Sequence, residues 1–119
     1  MLIRQTYDQL SVPAAGSLEP LGPGQRQHLA AVVAGLGPTW SVELHYDMFG
    51  KATLVVLPED LDDVIGPTLI IHADQSAFHV EELCGEAYRK LGEHRAWADV
   101  LRAVRVRLIW EMTVSTTLH

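Results

Sequence analysis

The sequence has one cysteine, Cys84, and no apolar run close to the ~18 residues that a membrane-spanning helix requires. One cysteine excludes a disulfide within the chain. The first residues also lack the basic segment and the long apolar segment of a secretory signal peptide. We therefore expect a cytoplasmic protein that has no membrane partner.

Basic residues are also scarce. The 119 residues include 9 lysines and arginines against 15 aspartates and glutamates, which gives a formal net charge of −6. Non-specific binding of nucleic acid needs a basic surface that neutralises phosphates, and an acidic chain repels them. The charge balance therefore predicts that nucleic acid is not a partner.

The charges are unevenly distributed along the chain. Residues 41–86 hold ten acidic residues and one basic residue, whereas residues 89–107 hold six basic and two acidic residues. Such segregated charge would steer an anionic ligand to the basic segment or one subunit to another, or it reflects neighbouring solvated faces of one molecule.

The remaining composition is that of a folded globular protein, with 48% hydrophobic and 20% charged residues. The length predicts one domain over residues 1–119. Residues 11–25 contain three prolines and three glycines. That segment is predicted to be a loop or an extended arm.

The first part of the chain predicts one helix and a strand hairpin, after a possible short strand at 2–7. The helix begins at Pro23 and ends near Gly35 or Gly37. Residues 40–47 alternate between apolar and polar side chains, which is typical of a half-buried strand. A turn at 48–50 would pair Asp47 with Lys51, and the apolar sides of the two strands then match.

The second part of the chain allows different interpretations. A third strand is predicted at 68–74, and apolar residues at helical spacing favour a helix over 76–91. A hairpin with His72 opposite His79 is the alternative, but Gln-Ser is a poor two-residue turn. A second helix from Glu93 is predicted to give way to a strand at 105–113, although a continuous helix would also fit.

These elements predict an α+β fold. The expected architecture is a two-layer sandwich in which an antiparallel sheet of three to four strands carries helices on one face, in the order α-β-β-β-α-α-β.

One stretch has the residue types of a metal or acid–base site. His72, Asp74 and His79 lie close together in the sequence, and His45 could approach them if the first and third strands were neighbours. Two histidines and a carboxylate suit a divalent transition metal such as zinc, iron or nickel. No specific metalloenzyme spacing is present, and the same residues could decorate a solvent-exposed sheet face.

Three functional hypotheses follow. The leading one is a small, acidic, non-catalytic module that associates with protein, first with itself as a dimer, through Trp97, Arg95, Arg102 and Trp110. The second is a small metal-dependent or acid–base enzyme that uses the histidine cluster. The third is a binder of a small anionic ligand at the N-terminus of the helix predicted near residue 76.

Overall fold

The computed structural model describes residues 20–37, 39–58 and 67–117, with side chains as far as residue 113. This part of the chain contains two helices and five strands. They are α1 (Pro23–Ala34), β1 (Trp40–Tyr46), β2 (Ala52–Pro58), β3 (Thr68–Ala73), β4 (Phe78–Cys84), β5 (Ala87–His94) and α2 (Trp97–Thr117). The strands form one antiparallel sheet in chain order, β1-β2-β3-β4-β5. The predicted α+β class is confirmed, but the predicted strand count and element order are wrong.

Helix α1 begins where the sequence predicts. Pro23 occupies the first turn, where its missing N–H costs no hydrogen bond. Leu29 and Val33 are buried one helical turn apart, and the chain leaves the helix through Gly37 at φ 118°. The predicted strand at 2–7 and most of the predicted arm at 11–25 lie outside the described residues.

The hairpin of β1 and β2 has the predicted register. Val42 lies opposite Val56 and Leu44 opposite Leu54, so apolar side chains share one face. Asp47 N–H donates to the Lys51 carbonyl oxygen at 3.0 Å, and Gly50 takes φ 82° in the turn. The positive φ explains why glycine suits this position.

The helix predicted over 76–91 is wrong, because this segment forms strands β4 and β5. Asp74 causes the ambiguity: its Oδ1 accepts hydrogen bonds from the N–H groups of Ser76 and Ala77, at 2.8 and 2.9 Å. A carboxylate in that position caps a helix or closes a turn equally well. Here it closes the β3–β4 turn, and His72 lies opposite His79 as in the hairpin alternative.

The strand predicted at 105–113 is also wrong, because α2 continues through this segment. Val104 and Leu108 are fully buried, whereas Val106 and Trp110, which lie between and beyond them, are 58% and 61% exposed. Burial therefore repeats every four residues, as on one face of a helix, and not every two residues, as in a strand. Apolar residues on two different helix faces produced the apparent alternation.

One hydrophobic core joins the helices to the sheet. Both helices contribute fully or nearly fully buried side chains, and so do alternate residues of β1 to β4. The members are Leu21, Leu29, Val33, Trp40, Val42, Leu54, Val56, Leu69, Ile71, Phe78, Val80, Val100, Val104 and Leu108. The other side chains of each strand, including the histidines of the predicted site, therefore lie on the opposite face of the sheet.

Candidate functional site

The predicted histidine cluster lies on the sheet face opposite the core. His72 of β3 and His79 of β4 are directly paired, and their rings stack with centroids 4.9 Å apart and planes 17° apart. Asp74 follows β3 and lies beside His79. The structure thus brings three of the four predicted residues together.

Each stacked imidazole has its own carboxylate. Glu81 Oε2 lies 3.0 Å from His72 Nε2, and Tyr88 donates its hydroxyl to the same carboxylate. Burial raises the pKa of Glu81, but the hydrogen bonds from Tyr88 and His72 outweigh it, so the pKa is lowered. The bond to Glu81 also raises the pKa of Tyr88.

The second imidazole is held at the hairpin turn. Asp74 Oδ2 lies 2.8 Å from His79 Nε2, while Asp74 Oδ1 accepts hydrogen bonds from the turn. The backbone N–H of Ser76 and the bond to His79 hold the pKa of Asp74 well below its usual range. Glu93 of β5 lies 3.9 Å from the other ring nitrogen, His79 Nδ1.

The fourth predicted residue, His45, lies apart from this cluster. Strand β2 separates β1 from β3, so His45 and His72 are two strand spacings apart, ~10 Å. His45 Nε2 instead contacts Glu43 Oε1 at 2.8 Å. Among the described residues, no three His, Cys, Asp or Glu side chains are placed to hold one metal ion.

The cluster is a self-satisfied polar network in which each histidine has a carboxylate partner. The pairs resemble a base with its orienting acid, as general acid–base catalysis requires. Neither of the two cavities described below is lined by these histidines.

A cavity of about 480 Å³ lies between α2 and strand β5. Its lining includes apolar side chains from both elements and four polar or charged residues, two of which are arginines. The lining residues are Leu91, His94, Asp99, Arg102, Ala103, Val106, Arg107 and Trp110. Leu91 reaches this side because a bulge in β5 shifts the pairing between Val80 and Glu81 of β4.

One wall of this α2–β5 cleft rests on a buried ion pair. Glu82 is 7% exposed on the core side of β4, and Arg107 Nε donates to its Oε1 at 2.7 Å. Arg107 Nη1 also donates to Glu111 of α2 at 3.1 Å. The hydrogen bond from Arg107 lowers the pKa of Glu82, and the same bond raises the pKa of Arg107.

The basic segment is largely neutralised within the chain. Arg89 and Arg107 contact Glu82, Lys90 contacts Glu93, and Arg102 contacts Asp99. Four of its six basic residues therefore have carboxylate partners in the same molecule. This pairing weakens the idea that the whole segment is held for an acidic surface elsewhere.

The predicted interface residues occupy different places. Trp110 and Arg102 line the α2–β5 cleft. Trp97 instead packs edge-on against Phe78, with ring centroids 5.5 Å apart, and belongs to the core. Arg95 is exposed in the short connection between β5 and α2.

Two features of these sites were missed from the sequence. The helix predicted over 76–91 gives no indication that Glu82 points inward from a strand toward the core. Leu91 was assigned to a helix face, and the sequence carries no signal for a bulge at that point. The Gly85–Glu86 pair was the available signal for the β4–β5 hairpin, because glycine leads many two-residue turns.

Comparisons with protein-family models, with curated proteins and with solved structures found no match to this chain. The described residues thus define the class by architecture alone: an α+β fold with a five-stranded antiparallel meander and two helices that share its core. No helix in the described ranges is both long and apolar enough to cross a membrane.

Proposed function

We propose that this chain is a non-catalytic protein-association module of the cytoplasm, and that its first partner is a second copy of itself. The observation that carries the proposal is the exposed apolar surface of α2 beside the α2–β5 cleft. Trp110 is 61% exposed and Val106 is 58% exposed on the same side of the helix. Large apolar side chains in contact with one another on a surface mark interaction sites more often than single ones do.

The chemistry of the cleft suits an interface. Tryptophan and arginine are the residue types most enriched among energetically dominant interface residues. Here the lining combines Trp110 with two arginines and with apolar side chains such as Leu91 and Ala103, and it also includes His94 and Asp99. The aromatic ring and the apolar lining would be removed from water on association, while the exposed Arg102 remains at the rim.

A two-fold arrangement of α2 helices fits this surface. Ala103, Val106 and Trp110 follow one another at helical spacing, so Val106 lies at the middle of the stripe. Two antiparallel copies of α2 that cross at Val106 would place Trp110 of each copy opposite Arg102 of the other. A guanidinium over an indole face is a favourable cation–π contact, and the symmetry forms it twice.

The two rival hypotheses have less support. The anionic-ligand site required a helix N-terminus near residue 76, and the structure has the β3–β4 turn there, followed by strand β4. The enzyme hypothesis rests on the histidine network, in which the carboxylates and imidazoles already engage one another.

Sedimentation equilibrium across a range of concentrations tests the proposal. We expect a monomer–dimer equilibrium, and Trp110→Ser should weaken dimerisation by at least about tenfold because it removes the largest exposed anchor. Tyr88→Ser is the matched control, since Tyr88 is 58% exposed but lies on the other sheet face. A wild-type chain that stays monomeric up to about 100 μM would contradict the proposal.

Salt distinguishes this geometry from a charge-driven one. If the basic segment of one copy met the acidic sheet of another, raising the salt concentration would dissociate the dimer sharply. An interface centred on Trp110 and Val106 should persist at high salt concentration, because salt does not screen the burial of apolar surface.

A further inference from the structure

The two edges of the sheet differ in how they are protected. Strand β5 carries a bulge at Leu91 and exposed charges at Arg89, Lys90 and Glu93. Bulges and charges are the usual devices that prevent an edge from pairing with another strand. In contrast, β1 pairs regularly with β2 along all seven residues and has no strand on its other side in the described part of the chain.

The edge of β1 that no described strand covers presents a defined row of backbone groups. Asp47 N–H bonds to the Lys51 carbonyl oxygen, and bonded and non-bonded pairs alternate along an antiparallel ladder. The N–H and C=O groups of His45, Glu43 and Ser41 therefore point toward β2. Those of Tyr46, Leu44, Val42 and Trp40 point outward, toward the open edge.

A cavity accompanies this edge on the core side. It measures about 700 Å³ and is lined by Ala30, Val33 and Ala34 of α1 and by Trp40 and Val42 of β1. These side chains are small or apolar, so the cavity suits apolar side chains that project from an added strand.

Trp40 supplies an observation that points to an occupant. The residue is 7% exposed, it lines this cavity, and its indole Nε1 is buried without a hydrogen-bond partner among the described residues. A buried N–H that lacks an acceptor carries the full cost of its desolvation. A backbone carbonyl of a strand lying along β1 would supply an acceptor for this N–H.

The opposite face of β1 sets the charge of the occupant. Glu43 and His45 lie on the outer face, with the Glu43 side chain 50% exposed, and Asp47 follows at the end of the strand. An added strand would alternate its side chains between the cavity and this acidic face. Basic residues fit the acidic side, and apolar residues fit the cavity.

We propose that the β1 edge and the α1–β1 cavity bind an extended segment of a partner protein in which apolar and basic residues alternate. The segment adds a sixth strand to the sheet, a known mode of peptide recognition. Its main chain bonds to the outward groups of β1, one carbonyl accepts the Trp40 indole N–H, and its lysine or arginine side chains face Glu43. This site is separate from the α2–β5 cleft and does not depend on dimerisation.

The test uses the full chain and a capped peptide of alternating valine and lysine, with the valine–glutamate peptide as its counterpart. Binding is followed by fluorescence anisotropy of labelled peptide and by the ¹H–¹⁵N resonance of the Trp40 indole. We expect the lysine peptide to bind, to shift that resonance, and to bind at least about tenfold tighter than the glutamate peptide. Glu43→Lys should reverse the preference between the peptides.

Two proline variants form a matched pair. Tyr46→Pro removes an outward N–H from the β1 edge without removing a bond to β2, so it should abolish peptide binding while the fold persists. Tyr88→Pro removes an equivalent outward N–H from the β5 edge and should leave binding unchanged. Trp40→Phe keeps an aromatic side chain but removes the indole donor, and it should weaken binding several-fold.

Several results would overturn the inference. They are an undetectable interaction at millimolar peptide, an unmoved Trp40 resonance, or equal binding to the Tyr46→Pro and Tyr88→Pro variants. A Trp40 resonance that shifts with protein concentration alone would also overturn it, because a second copy would then occupy the edge. The Trp110→Ser variant should bind the peptide normally, which separates this site from the proposed dimer interface.

Discussion

Glu82 carries a buried negative charge that needs a partner. Its carboxylate is buried between β4 and α2 and accepts a hydrogen bond from Arg107. A buried charge is tolerated only when it is paired, because desolvation of an unpaired charge costs several kcal/mol. The ion pair thus links the sheet to the middle of α2, close to the wall of the α2–β5 cleft.

Removal of Arg107 should therefore destabilise the fold. We expect Arg107→Met to lower the free energy of unfolding by about 3 kcal/mol, since Arg89 at 3.5 Å compensates only in part. Urea denaturation measures the change. Arg102→Met is the control, because the exposed Arg102–Asp99 pair contributes less than about 1 kcal/mol. Recovery of stability in a Glu82→Leu, Arg107→Met double variant would support the pairing. Equal losses of stability in Arg107→Met and in the control Arg102→Met would contradict it.

The carboxylates also predict how stability depends on pH. Hydrogen bonds lower the pKa values of Glu82, Asp74 and Glu93 in the folded chain, so the unfolded chain binds more protons as the pH falls. This contribution is fully present above the ordinary values of 3.8 for aspartate and 4.5 for glutamate, and it is lost as the pH falls below them.

Urea denaturation at a series of pH values checks the sign. The free energy of unfolding should decrease from about pH 6 to about pH 3, and Asp74→Asn should make the decrease shallower. A stability that is constant or rises toward acid pH would contradict the assigned hydrogen bonds.

Among the elements, the strands before residue 74 were predictable from the sequence and those after it were not. The β1–β2 register follows from alternation and from the Asp47–Gly50 turn. Beyond Asp74, the segment 77–91 has apolar residues that satisfy both a helix and a strand pattern. Pairing with β3 decides between them, because it gives Val80 and Phe78 a buried place beside β3.

Gly85 is the local feature that permits the β4–β5 hairpin. It occupies the first central position of a two-residue turn between Cys84 and Ala87, with φ 64°. We expect Gly85→Ala to cost about 1–2 kcal/mol, because the left-handed region is strained for a residue with a Cβ although no atom lies within 4 Å.

A second glycine provides the control for this prediction. Gly24 lies in the first turn of α1, has no atom within 4 Å of a built Cβ, and has no positive φ. Gly24→Ala should therefore stabilise the protein by about 0.5–1 kcal/mol. Thermal or urea denaturation compares the two variants, and a loss of stability in Gly24→Ala equal to that in Gly85→Ala would contradict the assigned turn.

The whole molecule shows which parts of a site can be predicted from a sequence. The association of His72, Asp74 and His79 was predictable, because these residues are close in the chain. The α2–β5 cleft was predictable only through Trp110 and Arg102, since its other wall depends on strand β5, which was assigned to a helix. Contacts between distant segments, such as Glu82 with Arg107, have no local signature.

At the scale of the whole molecule, the proposed association joins two copies through α2. An antiparallel crossing at Val106 places the two Val106 residues nearest each other, whereas Arg105 of each copy points away from the cleft. Two cysteines form a disulfide readily only when their Cα atoms lie within about 7 Å. A single cysteine at position 106 or at position 105, with native Cys84 replaced by serine, therefore reports the geometry directly.

The decisive measurement is the rate of oxidative cross-linking of Val106→Cys and Arg105→Cys, each in a Cys84→Ser background. We predict that Val106→Cys converts rapidly to a covalent dimer and that Arg105→Cys remains largely monomeric under the same conditions. Equal rates for the two variants, or a Val106→Cys chain that stays monomeric, would contradict association through this face of α2.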